Sequence, residues 1–169
     1  MKPVLLILMM MMGTMVFPAA ASAQMVIVVR HAERADGGAS PATSMTGSPD
    51  PELSEAGRTR ARKLSAMLAD AGIVAIYTTE YRRTRDTAAP LAARSGVTPE
   101  VVAARDAAAL IGRIKTHKTG AVLVVGHSNT VPIIIRALGG VPVTMADDEY
   151  DSLFFVAPDG TTTRIRFTP

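Results

Sequence analysis

The sequence predicts an α/β protein: a three-layer α/β/α arrangement around a mostly parallel central sheet. Two observations carry this. Short apolar runs alternate with segments of helical spacing, the order that builds parallel strands covered on both faces. Polar and charged residues collect directly after those runs, at the carboxyl ends of the proposed strands, where open α/β sheets bind ligands.

The chain has 169 residues and opens with Lys2, an apolar run from Pro3 through Phe17, and a small-x-small pattern at Ala21-Ser22-Ala23. This is the layout of a cleavable secretory leader, with cleavage expected after Ala23. The run is interrupted by Gly13, Thr14 and Pro18 and falls short of the roughly 20 apolar residues that span a bilayer, so a retained anchor is the weaker reading. The expectation is a periplasmic or secreted protein without stable membrane insertion. Residues 24–169 form one domain of about 145 residues, enough to bury a single core. There is no cysteine, so neither disulfides nor thiolate chemistry contribute.

The first strand is the apolar run 25–29, and it leads straight into Arg30, His31, Glu33 and Arg34. Residues 35–51 are rich in Gly, Ser, Pro and Thr with no period, and a loop of that length in a compact domain is expected to cover a site. The segment 54–71 reads as a helix: Gly57, Ala61, Leu64, Leu68 and Ala71 share one face, Arg58, Arg60, Arg62 and Lys63 fall largely on the other, and Ser54 caps it. Strand 74–77 ends at Thr78-Thr79 and a helix follows from 81 to about 94, which Pro90 shortens or kinks. A short strand around 101–102 precedes a helix over 106–117. Strand 121–125 runs into Gly126-His127-Ser128 and a helix from about 129 to 138, stopped by Gly139-Gly140. The tail forms two strands around Pro158-Asp159-Gly160.

Net charge is +3, aromatics are 4 % of residues, and the arginines fall in short clusters. Nucleic-acid binding is disfavoured, because backbone-tracking surfaces combine a basic stripe with interleaved aromatics. A local anion site fits better. Arg30, Arg34 and one of Arg82, Arg83 and Arg85 supply forks that match phosphate oxygens; these last three cannot all face inward on one helix. Gly126 admits close backbone approach, and the helix after Ser128 is expected to aim N–H groups at the same anion. Guanidinium neighbours disfavour the imidazolium, so His31 keeps a lone pair able to attack phosphorus, while His127 is placed to donate to the phosphoryl oxygens. His117 has no such setting and reads as a solvated helix terminus.

Four stretches, "VRHAER" at 29–34, "LSEAGRTRA" at 53–61, "YTTEYRRTRDTA" at 77–88 and "VVGHSNT" at 124–130, together resemble the signatures of the histidine phosphatase, or phosphoglycerate-mutase-like, superfamily. The resemblance covers nearly all of the chain after the leader. It implies phosphorylation of His31 as the nucleophile, phosphate contacts from Arg30, Arg83 and His127, and metal- and cofactor-free chemistry. Ala32 departs from the family's usual Gly, as in a branch of small bacterial "RHAE" proteins, and Arg34 resembles the extra phosphate-facing Arg of a phosphotyrosine-directed branch. Spacing in the compact phosphohistidine phosphatases points to Asp106 as general acid, although Asp106 equally fits a helix N-cap; Glu33 is the alternative acid or orienting partner, and Asp36 ranks last.

The expected function is therefore an exported, metal-independent phosphomonoesterase working through a phosphohistidine, with Ser128 completing the phosphate site. Its substrate would be a phosphorylated small molecule, an envelope component or a peptide. Three rivals remain open: a phosphomutase, a metal hydrolase built on the same histidines, and a silent phospholigand-binding domain. No segment is assigned to an oligomer interface.

Overall fold

The computed structural model describes residues 24–37 and 50–168. The expected leader lies outside the described residues, as does most of the 35–51 loop. Four helices and six strands follow in the order β1 (Met25–Arg30), α1 (Glu55–Met67), β2 (Ile73–Thr78), α2 (Arg82–Ser95), β3 (Glu100–Val101), α3 (Ala107–Ile114), β4 (Ala121–Gly126), α4 (Val131–Ala137), β5 (Ser152–Val156) and β6 (Thr162–Arg166). The strands form one sheet in the order β3-β2-β4-β1-β5-β6. β1, β2, β3 and β4 run parallel, and β5 closes against β1 antiparallel with β6 beside it, so the predicted mostly parallel sheet is the one observed.

Continuous apolar runs in β1 and β4 follow from their central position. Both are buried on both faces, which removes the alternation seen in half-exposed strands. Val28, Val122, Val124 and Phe154 pack on one face with Ile134 and Ile135 of α4 and Leu110 and Ile114 of α3. Ile27, Val29, Leu123 and Leu153 pack on the other with Leu64 of α1 and Leu91 of α2.

Helix limits follow local chemistry. Ser54 Oγ accepts from Gly57 N at 3.1 Å, the expected N-cap, and α1 closes at Leu68, short of Ala71. The α2 helix runs through Pro90 to Ser95 and stops where Gly96 adopts φ 72°, so the proline does not shorten it. β3 is only two residues long.

Arg60 corrects the expectation of a solvent-facing basic stripe on α1. It lies three residues after Gly57 and four before Leu64, hence on the inner face, and is 8 % exposed. Its guanidinium makes a forked pair with Glu33, Nε donating to both carboxylate oxygens at 2.9 Å and Nη2 to Oε1 at 2.6 Å, while Nη1 donates to the Phe167 carbonyl at 2.8 Å. That pair ties α1 to the segment following β1 and to the sheet's far edge.

Gly57 sits at the same junction. A Cβ there would stand 2.3 Å from the Glu33 carbonyl oxygen, so only glycine lets α1 approach this closely. Gly57→Ala is expected to cost about 1–3 kcal/mol by overpacking and to shift the segment that begins at His31; urea unfolding of the two proteins measures it.

Candidate active site

The site grows from the ends of β1 and β4. Their register pairs Arg30 with Gly126, so the residues that follow, His31 and His127, emerge side by side. The His31 N–H donates to the Gly126 carbonyl at 2.9 Å, extending the ladder one step beyond the strand. The two imidazoles meet edge to face with centroids 5.3 Å apart. A Cβ at Gly126 would lie 2.8 Å from Thr130 Oγ1, which accepts from the His127 N–H at 2.9 Å, so this glycine makes room for the hydroxyl that fixes the start of the His127 turn.

α2 is joined to the same rim by Thr87. Its hydroxyl accepts from the Ala32 N–H at 2.9 Å and donates to the Arg83 carbonyl at 2.7 Å. A threonine four residues after the arginine therefore couples the helix that carries Arg83 to the backbone that carries His31.

Both histidines have defined tautomers. The Ala32 carbonyl, 2.8 Å from His31 Nδ1, can only accept, which places the ring proton on Nδ1 and leaves Nε2 with a free lone pair. Arg83 Nη2 can only donate, and it reaches His127 Nδ1 at 3.4 Å; Nε2 of that ring then donates to Thr79 Oγ1 at 3.0 Å. Thr79 in turn lies 2.9 Å from Thr84 Oγ1, which donates to the Tyr81 carbonyl at 2.8 Å. The His127 proton thus points to Thr79, and its other ring nitrogen accepts from Arg83.

Electrostatics reinforce this. Burial, aided by His127, Arg83 and Arg30, lowers His31 to about 3. Burial, followed by Arg83, Arg30 and Arg34, lowers His127 to about 4 against a counter-pull from Glu80. Both rings are neutral in the resting protein at pH 7.

The arginines surround the pair. Arg30 donates from Nη1 to the carbonyls of Ala146 and Glu149, each at 3.1 Å, and its guanidinium carbon stacks 4.0 Å from the Tyr150 ring centre. Arg83 stacks 4.3 Å from the Tyr81 ring centre and lies 3.5 Å from Asp50. The Nε atoms of Arg30 and Arg83 are buried without a hydrogen-bond partner, and burial lowers both guanidinium pKa values. Desolvated cations with spare donors are the preparation an anion requires. With Arg34, Arg105, Ser128 and Asp147 these residues line a cleft of about 440 Å³. Arg82 and Arg85 are exposed, so Arg83 is the inward member of its cluster.

Several expectations change. Asp106 is exposed and does not line this cleft; its carboxylate accepts from Ala109 N at 2.9 Å and serves as the N-cap of α3. Glu33 is committed to Arg60 and faces away from the histidines. Asp36 pairs with Arg34. The turn after Ser128 offers no helix terminus to an anion: α4 begins only at Val131, and the Thr130 and Val131 N–H groups both bond to the His127 carbonyl at 3.0 and 2.9 Å. Ser128 does line the cleft, its hydroxyl 3.2 Å from Asp147 Oδ1. Tyr81, Asp147 and Tyr150 were not anticipated, and Thr79 was placed at the rim without a role. Tyr150 and Asp147 sit in the aperiodic stretch before β5, which carries no pattern to read, whereas Thr79 sat visibly at a strand end. Among the described residues no three His, Asp or Glu side chains gather as a metal site, and no helix is long and apolar enough to cross a membrane.

Comparison with known proteins agrees with this geometry. Residues 26–106 match the profile of the histidine phosphatase superfamily (branch 1). The chain covers 86 % of its length on mycobacterial glucosyl-3-phosphoglycerate phosphatase Rv2419c, and 99 % of that chain, with TM-score 0.61 at 16 % identity. It also aligns with the proposed phosphohistidine phosphatase SixA of Agrobacterium tumefaciens (TM-score 0.57, 21 % identity, 86 % of this chain and 97 % of that one). A third similar structure is a phosphoserine phosphatase of Entamoeba histolytica in complex with 3-phosphoglyceric acid (TM-score 0.58, 13 % identity, 86 % and 97 %). No curated protein sequence matches significantly. The superfamily that the four sequence stretches resemble is thus the one whose profile residues 26–106 match, and its fold is the fold of this chain.

The depressed histidines make stability depend on pH. Each is neutral when folded but takes a proton near the ordinary histidine value of 6.5 when unfolded, so the unfolded chain binds more protons as pH falls below 6.5 toward about 3 for His31 and about 4 for His127. Stability is then lost on acidification through that window, by about 1.4 kcal/mol per pH unit for each proton. Thermal unfolding from pH 7.5 to 5 should show a falling Tm, and the slope should flatten in the His31→Gln and His127→Gln variants.

Proposed function

We propose that this chain is a phosphomonoesterase that passes the phosphoryl group through His31 Nε2 to water, without a metal. The observation that supports the reading best is the directed lone pair of His31 beside His127 in a cleft lined by Arg30, Arg34 and Arg83. The Nε2 lone pair attacks phosphorus as the ester P–O bond breaks, and the leaving oxygen takes a proton to become the alcohol. Water then attacks phosphorus, the P–N bond breaks, and inorganic phosphate leaves with the imidazole restored.

Arg30 and Arg83 neutralise charge on the equatorial oxygens through their unpartnered Nε–H groups. A phosphoryl dianion beside His127 opposes the effect of burial and Arg83 and favours the imidazolium, so this ring turns from acceptor to donor once substrate is bound. Asp147 is the one carboxylate among the described cleft residues and takes over from Asp106 the role of proton relay between solvent and the leaving oxygen. An open cleft suits phosphorylated small molecules or peptides, in line with the substrates in the names of the similar phosphatases. Export rests on the N-terminal pattern, and N-terminal sequencing of protein made with its own leader should begin at Gln24.

The test is a screen of phosphomonoesters with rapid acid-free denaturation. The wild type is expected to release phosphate and to retain an acid-labile label, whereas His31→Ala loses the label and at least about a thousandfold in kcat. Phosphate binding without turnover on every ester would favour a silent phospholigand-binding domain. Asp147→Asn should slow alkyl esters by about tenfold or more and aryl esters much less, because an aryloxide leaves without a proton.

A further inference from the structure

Behind the catalytic cleft lies a second space of about 330 Å³, between the ends of β2 and β4 and the starts of α3 and α4. Its walls include Val102, Leu110, Val124, Ile133 and Ile134. The two spaces are adjacent: Ala104 and Arg105 of the β3–α3 loop, and Asn129 and Thr130 of the β4–α4 turn, line both.

We propose that this space is the subsite for the alcohol part of the substrate and that it takes a compact apolar group, aromatic or branched alkyl. The proposal rests on the phosphatase reading above and adds the class of ester. Three observations carry it. The volume falls within the range of about 300–1,000 Å³ that holds small organic groups, and Val102, Leu110, Val124, Ile133 and Ile134 give it an apolar wall, while Thr78, Thr79, Arg105, Asp106 and Asn129 supply the polar part of its lining. Ile133 is 55 % exposed although its neighbours on the same helix, Ile134 and Ile135, are buried, so an apolar side chain stands half exposed at the edge of this space. The shared loop residues allow one molecule to span both spaces: a phosphoryl group among the arginines and histidines, the ester oxygen near Asn129 and Arg105, and the carbon skeleton against Val102, Leu110 and Ile134. A strongly basic cleft joined to a chamber with one apolar wall matches an amphiphilic ester, whereas a polyhydroxylated alcohol would set some of its hydroxyls against that wall.

Phosphonates separate binding from turnover, because their P–C bond is not an ester. Competitive inhibition or calorimetry on the full chain should give (1-naphthyl)methylphosphonate an affinity at least about tenfold above methylphosphonate, from apolar area removed from water. Ile133→Asn, an uncharged change at a half-exposed position, should remove most of that difference and leave methylphosphonate binding unchanged. Equal affinities of the two phosphonates, or an equal loss of both in Ile133→Asn, overturn the subsite. In kinetics, kcat/KM for 1-naphthyl phosphate should exceed that for glycerol 3-phosphate by a similar factor. A chain that prefers the naphthyl phosphonate yet hydrolyses neither ester refutes the phosphatase reading and upholds the subsite; one that hydrolyses both with equal efficiency does the reverse.

Discussion

The site depends on the pairing of β1 with β4. Six consecutive partners, from Met25 with Ala121 to Arg30 with Gly126, hold two parallel strands in one register. A slip by one residue would carry one imidazole to the opposite face of the sheet from the other, since side chains alternate along a strand. The apolar runs that read as plain core strands are therefore also the device that brings residues 31 and 127 together. Everything further out is attached to that pair: Thr87 fastens α2 and its arginine to the backbone after His31, and Glu33 with Arg60 fastens α1.

Charge and burial then work against each other by design of the sequence. Three cations face two rings in a desolvated pocket, and both rings answer by staying neutral. Neutral imidazoles and guanidinium groups with unpartnered Nε atoms are costly to bury by themselves and suit a dianion. The same balance explains why Tyr81 and Tyr150 stand where they do: each offers an aromatic face to an arginine, stabilising the cation without occupying its donors. Asp50 and Asp36, at the two described ends of the 35–51 segment, pair with Arg83 and Arg34, so both of these ends meet arginines of the cleft.

Much of this was legible in the residues alone. The long helix behind Ser54, the alternation of strands and helices, and the placement of His31 and His127 follow from periodicity and strand-end chemistry, which are local signals, whereas the choice of Arg83 among its neighbours came from the family resemblance. What escaped depends on three-dimensional partners. Arg60 was read as solvated because its charge outweighed its position, yet position 60 shares the inner face and Glu33 compensates its burial. Asp106 fits an acid and a cap equally by spacing, and only the 2.9 Å bond to Ala109 decides in favour of the cap. Asp147 and Tyr150 lie in a stretch with no period, so nothing short of the fold could bring them to the histidines. The turn after Ser128 was expected to offer helix N–H groups, but the sequence does not reveal that α4 begins three residues later.

Vanadate, which adopts the five-coordinate shape of a phosphoryl group in transfer, offers the most direct test of the geometry. A crystal structure of the chain with vanadate should show the metal within bonding distance of the ring nitrogen of residue 31 that lies opposite the Ala32 carbonyl, with the guanidinium groups of residues 30 and 83 on its equatorial oxygens. Vanadate attached to the other nitrogen of that ring, to residue 127, or outside the arginine cluster would contradict the account.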